Sequence, residues 1–415
     1  MDLQPSFDRP LRVLVVAPAL PPVIGGAETI AEVLVLGLCA AGLEVSLLTA
    51  DEPRPVVVDA VRAAGGNLRL VGASTERTDG FVGWEWATFQ RAMAVHRLIE
   101  EKAVDVVHAM SHDASVACAI ALAGKRKRAV PLVATYSEMS TENSDFGRAR
   151  SRFTYGLPVQ GFLHLSEYYR KVAAQYLQHE PYELVAAAVD VGRFTQGQAA
   201  EGRRFLGVRP DRLLLLCASR YSERKGQADL LDAMHMLPPE TAERVTLVLA
   251  GSINSASSSF LARLQQQAST SPVEVTFVEI DRDHVADCYA AADLMVLPSH
   301  HEGLGFSAIE AMAAGTCVIL TDTSGFSEVH DQSGQAVVVP VKNPEVLAKE
   351  ISQLLADPTL RGSIAESGRR RALSAFGPQR LTAAALELYT VCLADTAASD
   401  PKGPNVTHDG DPQER

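Results

Sequence analysis

The sequence predicts an α/β protein made of two doubly wound parallel-sheet domains. Two series of short, β-rich apolar runs alternate with helical segments, one starting at Leu11 and the other near Arg212. The length of 415 residues suits two such domains, at about 150–200 residues each. Glycine-containing turns also recur where strands pass into helices, at Gly25-Gly26, Gly226, and Gly303 with Gly305.

Composition excludes several classes. A hydrophobic fraction of 47% with 21% charged residues is that of a soluble globular protein. The net charge of −12 argues against a nucleic-acid partner. Lys125-Arg126-Lys127-Arg128 is the main basic cluster and follows an apolar helical segment, where cations favour the negative end of the helix dipole. The six cysteines are scattered through apolar segments and form no C-x-x-C pair, which fits free thiols in a cytoplasmic protein and no metal or redox motif. No secretory leader is recognised ahead of the first strand, and no apolar run approaches the roughly 18 residues of a membrane span. Peripheral membrane contact stays open, its one counter-signal being Arg148, Arg150 and Arg152 near Phe153 and Tyr155.

Along the chain, residues 1–10 are polar, and Leu11 to Ala17 reads as the first strand. The loop from Pro18 to Glu28 then opens onto a helix through about Ala41. A G-x-G-x-x-G fingerprint is absent there, which argues against a nicotinamide cofactor. Gly25-Gly26 suits either close approach to a phosphate or sugar, or a plain tight turn. Strands are expected near 44–49, 68–71, 104–108, 131–135 and 161–165, alternating with helices. Ligands of such sheets gather at the carboxyl ends of strands, so His108, His112 and the Thr135-Tyr136-Ser137 segment are candidates for a cleft, each with a structural role as the alternative.

In the second series Leu213 to Ala218 is a strand, followed by Ser219-Arg220-Tyr221-Ser222-Glu223-Arg224-Lys225-Gly226 and a helix through about Met236. Arg220 and Lys225 flank that loop and are placed to clamp a diphosphate, the alternative being surface charge. Further strands are expected at 245–250, 274–278, 293–297 and 317–320, then helices at 344–356, 358–373 and 378–394. Thr323 to Val329 is a further loop aimed at the same face. From about Ala397 the chain is polar and rich in Gly and Pro, which predicts a disordered tail over 397–415.

The most informative stretch is Ser299-His300-His301-Glu302-Gly303-Leu304-Gly305-Phe306-Ser307-Ala308-Ile309-Glu310. Gly303 and Gly305 let the backbone approach a ligand, and a helix starting near Phe306 points unpaired amides back at that turn. Such a terminus attracts phosphates. Glu302 and Glu310 would repel a phosphate, so they are read as acceptors for neutral hydroxyls beside it. Phosphates between two polyols describe a nucleotide sugar; a strand–turn–helix corner with solvated glutamates is the alternative.

Taken together these segments resemble family 4 of the retaining glycosyltransferases, from residue 12 to about 394. The resemblance is carried by Arg220 with Lys225-Gly226, by Tyr289-Ala290-Ala291-Ala292-Asp293 and Val296-Leu297-Pro298-Ser299, and by Glu302 and Glu310 as an E-x7-E motif. It implies a GT-B fold, two Rossmann-like domains facing a central cleft: an acceptor-side domain at 1–195, a donor-binding domain at 196–376, and a helix at 377–396 crossing back to the first domain. It further implies that Arg220, Lys225 and the amides of Leu304, Gly305 and Phe306 hold the donor diphosphate, without a metal because the cations supply the countercharge. Glu310 would then accept from ribose hydroxyls, Glu302 would contact the transferred sugar and act in catalysis with Arg220 and Lys225, and Gly25-Gly26 would approach from the first domain.

Three positions depart from the family pattern. Ser137 stands where many relatives have histidine, Ala187-Ala188 replaces Asn-Gly ahead of Val189-Asp190, and Met110 replaces the second histidine of His-x-His. All lie on the acceptor side, with His112 as the candidate substitute imidazole. The expected activity is metal-independent, retaining transfer of a sugar from a nucleotide-diphosphate donor to an acceptor, either a small hydrophilic metabolite or a glycan or lipid-linked one. The alternatives are a catalytically altered nucleotide-sugar-binding homologue or partner subunit, and a nucleotide-sugar epimerase.

Overall fold

The computed structural model describes residues 9–20, 26–71, 82–101, 104–123, 129–136, 145–252, 258–331 and 333–398. Gly25, Ser137, the basic cluster at 125–128 and residues 399–415 therefore lie outside the described residues.

The first domain is a seven-stranded sheet in the order β3-β2-β1-β4-β5-β6-β7. Its strands are β1 (Arg12–Val16), β2 (Glu44–Thr49), β3 (Leu68–Leu70), β4 (Val106–Ala109), β5 (Leu132–Ala134), β6 (Gly161–His164) and β7 (Tyr182–Val185), every pairing parallel. Helices α1 (Gly26–Ala40), α2 (Pro55–Ala63), α3 (Val82–Glu101), α4 (His112–Leu122), α5 (Asp145–Thr154), α6 (Glu167–Ala174) and α7 (Val191–Phe194) connect or follow them. Parallel strands covered on both faces need near-continuous apolar sequence, and Val13 to Val16 and Val106 to Val107 supply it at 0–1% exposure.

The second domain repeats the plan with six parallel strands in the order β10-β9-β8-β11-β12-β13. These are β8 (Leu213–Ala218), β9 (Val245–Ala250), β10 (Glu274–Val278), β11 (Leu294–Leu297), β12 (Val318–Thr321) and β13 (Val337–Val339). Around them lie α8 (Ala199–Leu206), α9 (Gln227–His235), α10 (Pro239–Ala242), α11 (Ser258–Ala268), α12 (Val285–Ala291), α13 (Phe306–Ala313), α14 (Pro344–Ala356) and α15 (Pro358–Ala375), while the last helix, α16 (Pro378–Ala398), packs on the first sheet. The α/β doubly wound class is thus as the sequence predicts.

Two strands were not expected. β7 is part-exposed throughout, and β13 is an edge strand of three residues with only Val339 buried, so neither shows the longer buried run that marks the central strands. The last helix also runs to Ala398, past the point where the polar tail was expected to begin.

In each sheet the strand order reverses at one place, between β1 and β4 and between β8 and β11. Ligand crevices of open α/β sheets form at such switch points, beyond the carboxyl ends of the strands. The two crevices meet. A Cβ on Gly26, at the start of α1, would lie 2.7 Å from the Phe306 ring at the start of α13.

Residues 358–398 are long and apolar enough by composition to cross a membrane, but they form two helices, α15 and α16. Leu381, Ala385, Leu388 and Tyr389 of α16 are fully buried in the core of the first domain. The approach is close: a Cβ on Gly161 would meet Leu388 at 2.7 Å and Cys392 at 2.8 Å. Five of the cysteines are buried, Cys39 is partly so, and all six are free thiols.

Candidate active site

The site is built where β8 and β11 end. After β8 the chain makes a single 3₁₀ turn over Glu223–Lys225 and enters α9 through Gly226, whose φ of +67° is left-handed. A Cβ there would sit 1.9 Å from the Pro298 carbonyl oxygen, so only glycine lets this loop lie against the one after β11. The His300 amide donates to the Arg224 carbonyl at 2.8 Å, and His300 Nε2 lies 2.7 Å from Asp229 Oδ2, joining the two loops. Gln227 shapes the first loop from inside, its Nε2 donating to Ser219 Oγ at 3.0 Å and to the Arg220 carbonyl at 2.9 Å.

This contact brings two predicted residues together. The Lys225 ammonium is paired with the Glu302 carboxylate, both largely sheltered, and Ser299 Oγ donates to Glu302 at 3.4 Å. The Arg220 side chain is exposed at the rim. Beyond Glu302 the chain passes Gly303 and Leu304 to Gly305, at φ +89°, which starts α13. Phe326 and the Glu302 carbonyl crowd Gly305 and Gly325 respectively, with hypothetical Cβ contacts of 2.3 Å at each.

Glu310 lies in the second turn of α13. Burial pushes its carboxyl up to about 7, against the pull of Arg193 and Arg282 and a hydrogen bond with Tyr289. Arg282 in turn donates from Nη2 to Glu32 of α1 at 3.0 Å, and Arg54 pairs with the same carboxylate. Glu32 is 1% exposed, so a buried carboxylate joins the two domains between two partly exposed arginines. Sequence reading missed it, because an apolar helix with one internal glutamate carries no local sign of a partner 250 residues away.

His108 and His112 are placed inside the first domain. His108 is 0% exposed, with Nδ1 2.7 Å from the Tyr389 hydroxyl and Nε2 2.8 Å from Thr135 Oγ1. His112 stacks on Tyr136 at 4.0 Å, and its Nδ1 lies 2.8 Å from Thr154 Oγ1. Burial pushes both rings down to about 3, so they are neutral at physiological pH. In this arrangement both nitrogens of His108 are engaged within the protein, which fits a structural link from α16 to the strand ends.

One contact region was not foreseen. The start of α6, in the first domain, lies on the loop after β11. Ser166 caps α6 and donates from Oγ to the Gly303 carbonyl at 2.8 Å. Glu328, within the Thr323 to Val329 loop, accepts from the Glu167 and Tyr168 amides at 2.9 and 3.2 Å. A serine ahead of a helical segment was a readable cap signal; its partner on the other domain was not.

Two doubly wound domains whose switch points face one another form the GT-B class. Solved structures of that class cover nearly the whole chain. A sucrose-phosphate synthase from Thermosynechococcus elongatus gives a TM-score of 0.75 at 18% identity, over 93% of this chain and 100% of its own. HepE of Anabaena, solved with UDP and glucose, gives 0.73 at 19%, over 92% and 99%. Sequence comparison is more specific. The family model described as Glycosyltransferase Family 4 matches residues 24–193, and that described as Glycosyl transferases group 1 matches 199–371. The chain belongs to the family 4 glycosyltransferases. Among curated relatives, a D-inositol 3-phosphate glycosyltransferase of Streptomyces bingchenggensis is 34% identical over 50% of this chain and 48% of its own length. A second, from Salinispora arenicola, is 31% identical over 51% and 50%. The chain therefore matches about half the length of these relatives.

Proposed function

We propose that this protein is a retaining glycosyltransferase that moves a sugar from a nucleotide-diphosphate donor to an acceptor hydroxyl. The observation that carries the reading is the Lys225–Glu302 pair, held beside the N-terminus of α13 at the switch point of the second sheet. A cation, a carboxylate and a helix N-terminus in one place suit the diphosphate of a donor together with its polyol ends.

In this reading Lys225 leaves Glu302 for the diphosphate, Arg220 closes on it from the rim, and the amides of Leu304, Gly305 and Phe306 add hydrogen bonds. Gly303 and Gly305 keep that backbone open to the ligand, and Gly26, with Gly25 beside it, approaches from the first domain. Glu302 turns to the sugar and Glu310 to the ribose hydroxyls. The bond from the anomeric carbon to the diphosphate breaks and the acceptor oxygen bonds that carbon on the same face. The acceptor proton goes to the departing phosphate oxygen, so no protein nucleophile is required. Stabilising the leaving diphosphate is the main contribution, at about 3–4 kcal/mol per donor group. With six free thiols, the protein fits the cytoplasm.

The names of the matched proteins choose the first substrates to try: a UDP-sugar, from the complex of HepE with UDP and glucose, and a phosphorylated cyclitol, from the D-inositol 3-phosphate glycosyltransferases. Purified protein should form a glycoside with the anomeric configuration of the donor, read by NMR. Lys225→Ala should lower kcat/KM by about 100-fold or more while the folded state persists. Full turnover by that variant would sink the reading.

A further inference from the structure

We propose that Glu328 is a positioning residue for the donor loop, acting through the N-terminus of α6; the proposal rests on the transferase reading for its kinetic consequence but not for its structural one. The first backbone amides of a helix have no partner within it. In α6 the Ser166 side chain satisfies the Tyr169 amide at 3.2 Å, and the Glu167 and Tyr168 amides are taken by Glu328, one by each carboxylate oxygen. The carboxylate belongs to the second domain and meets the positive end of the helix dipole, where an anion is most favoured.

The same turn of α6 grips the donor loop on both sides of Glu302. On one side the Tyr168 hydroxyl lies 3.1 Å from His301 Nε2, with the rings edge to face. On the other, Ser166 holds the Gly303 carbonyl, and the Tyr169 hydroxyl stands 2.3 Å from where a Gly303 Cβ would be. The segment carrying Glu328 supports the loop from behind, since Gly325 is packed on the Glu302 carbonyl. Arg371 fixes that segment by donating to the Glu328 carbonyl at 3.1 Å. Glu302 thus sits on a backbone held between α6 and the 325–328 segment, and Glu328 is the charged link between those two supports.

Removing the link should loosen Glu302 and the closure of the domains, while Gly305, packed on Phe326, keeps the amides that face the diphosphate in place. Glu328→Ala is expected to lower kcat about tenfold or more, because small misplacements of reacting groups are costly. The affinity for UDP alone, measured by calorimetry, should change by less than about threefold, since free UDP does not require the closed arrangement. Glu328→Gln should resemble Glu328→Ala, because its amide nitrogen would face a backbone N–H. Ser166→Ala should also lower kcat, and Ser166→Thr, which keeps the hydroxyl, should restore it. Small-angle X-ray scattering should show a larger radius of gyration for both alanine variants than for the unaltered protein.

The proposal is overturned if both alanine variants keep kcat within about twofold, or if UDP affinity falls in step with kcat, which would make Glu328 a ligand contact. If the unaltered protein transfers no sugar, the transferase reading fails separately, and an unchanged radius of gyration would then overturn the link by itself. If Glu328→Ala does not fold, the Ser166 pair decides.

Discussion

Lys225 and Glu302 are paired with one another, and this determines what each substitution there reports. Neutralising one partner leaves the other sheltered and unpaired, so kinetic loss and stability loss must be measured together. Glu310 offers a cleaner measurement. Its carboxyl is raised by burial to about 7, above the ordinary carboxylate range. The folded state therefore holds a proton that the unfolded chain has released between the ordinary value and about 7, and stability falls as pH rises through that window. Glu310→Gln should accordingly gain in thermal stability relative to the unaltered protein between pH 5 and pH 8, and the two should converge at the acidic end. A constant difference across that range would show that the charge of Glu310 is not what burial penalises. Lys225 and Glu302 could be singled out in the sequence because each lies in a loop beyond a strand end beside a glycine turn, and the fold pairs them. Glu32, Arg282 and Glu328 could not, because each acquires its meaning from a partner on the other domain.

At the scale of elements, the site depends on two loops lying in contact, and Gly226 is what permits it. A side chain at that position would need both a left-handed backbone and the space already filled by the Pro298 carbonyl. Gly226→Ala should therefore cost on the order of 2–3 kcal/mol of stability, read from urea unfolding, and weaken UDP binding as the loops part. The central strands of both sheets could be read from apolar runs such as Leu213 to Ala218, which stay buried except at the first residue. The edge strands could not. Tyr182 to Val185 is part-exposed throughout, and its pairing with β6 is a fact of the sheet that the local sequence does not express.

For the whole molecule, α16 decides how the domains are connected. Tyr389 reaches through the first core to His108, which passes the contact to Thr135 at the end of β5. Tyr389→Phe would leave a buried imidazole nitrogen without its partner, so it should lower stability by about 1–3 kcal/mol. Denaturant unfolding of the variant, compared with an exposed-site control on the same helix, checks this. The larger effect of α16 is mechanical. The chain leaves the first domain after β7 and returns to it at Pro378, and the two crossings touch where the Val189 amide donates to the Phe376 carbonyl at 2.9 Å. Two tethers side by side act as a pin joint: they leave one axis of rotation and oppose twisting or sliding. Any bending there would carry the far ends of the two crevices towards one another along a single arc, in one fixed register.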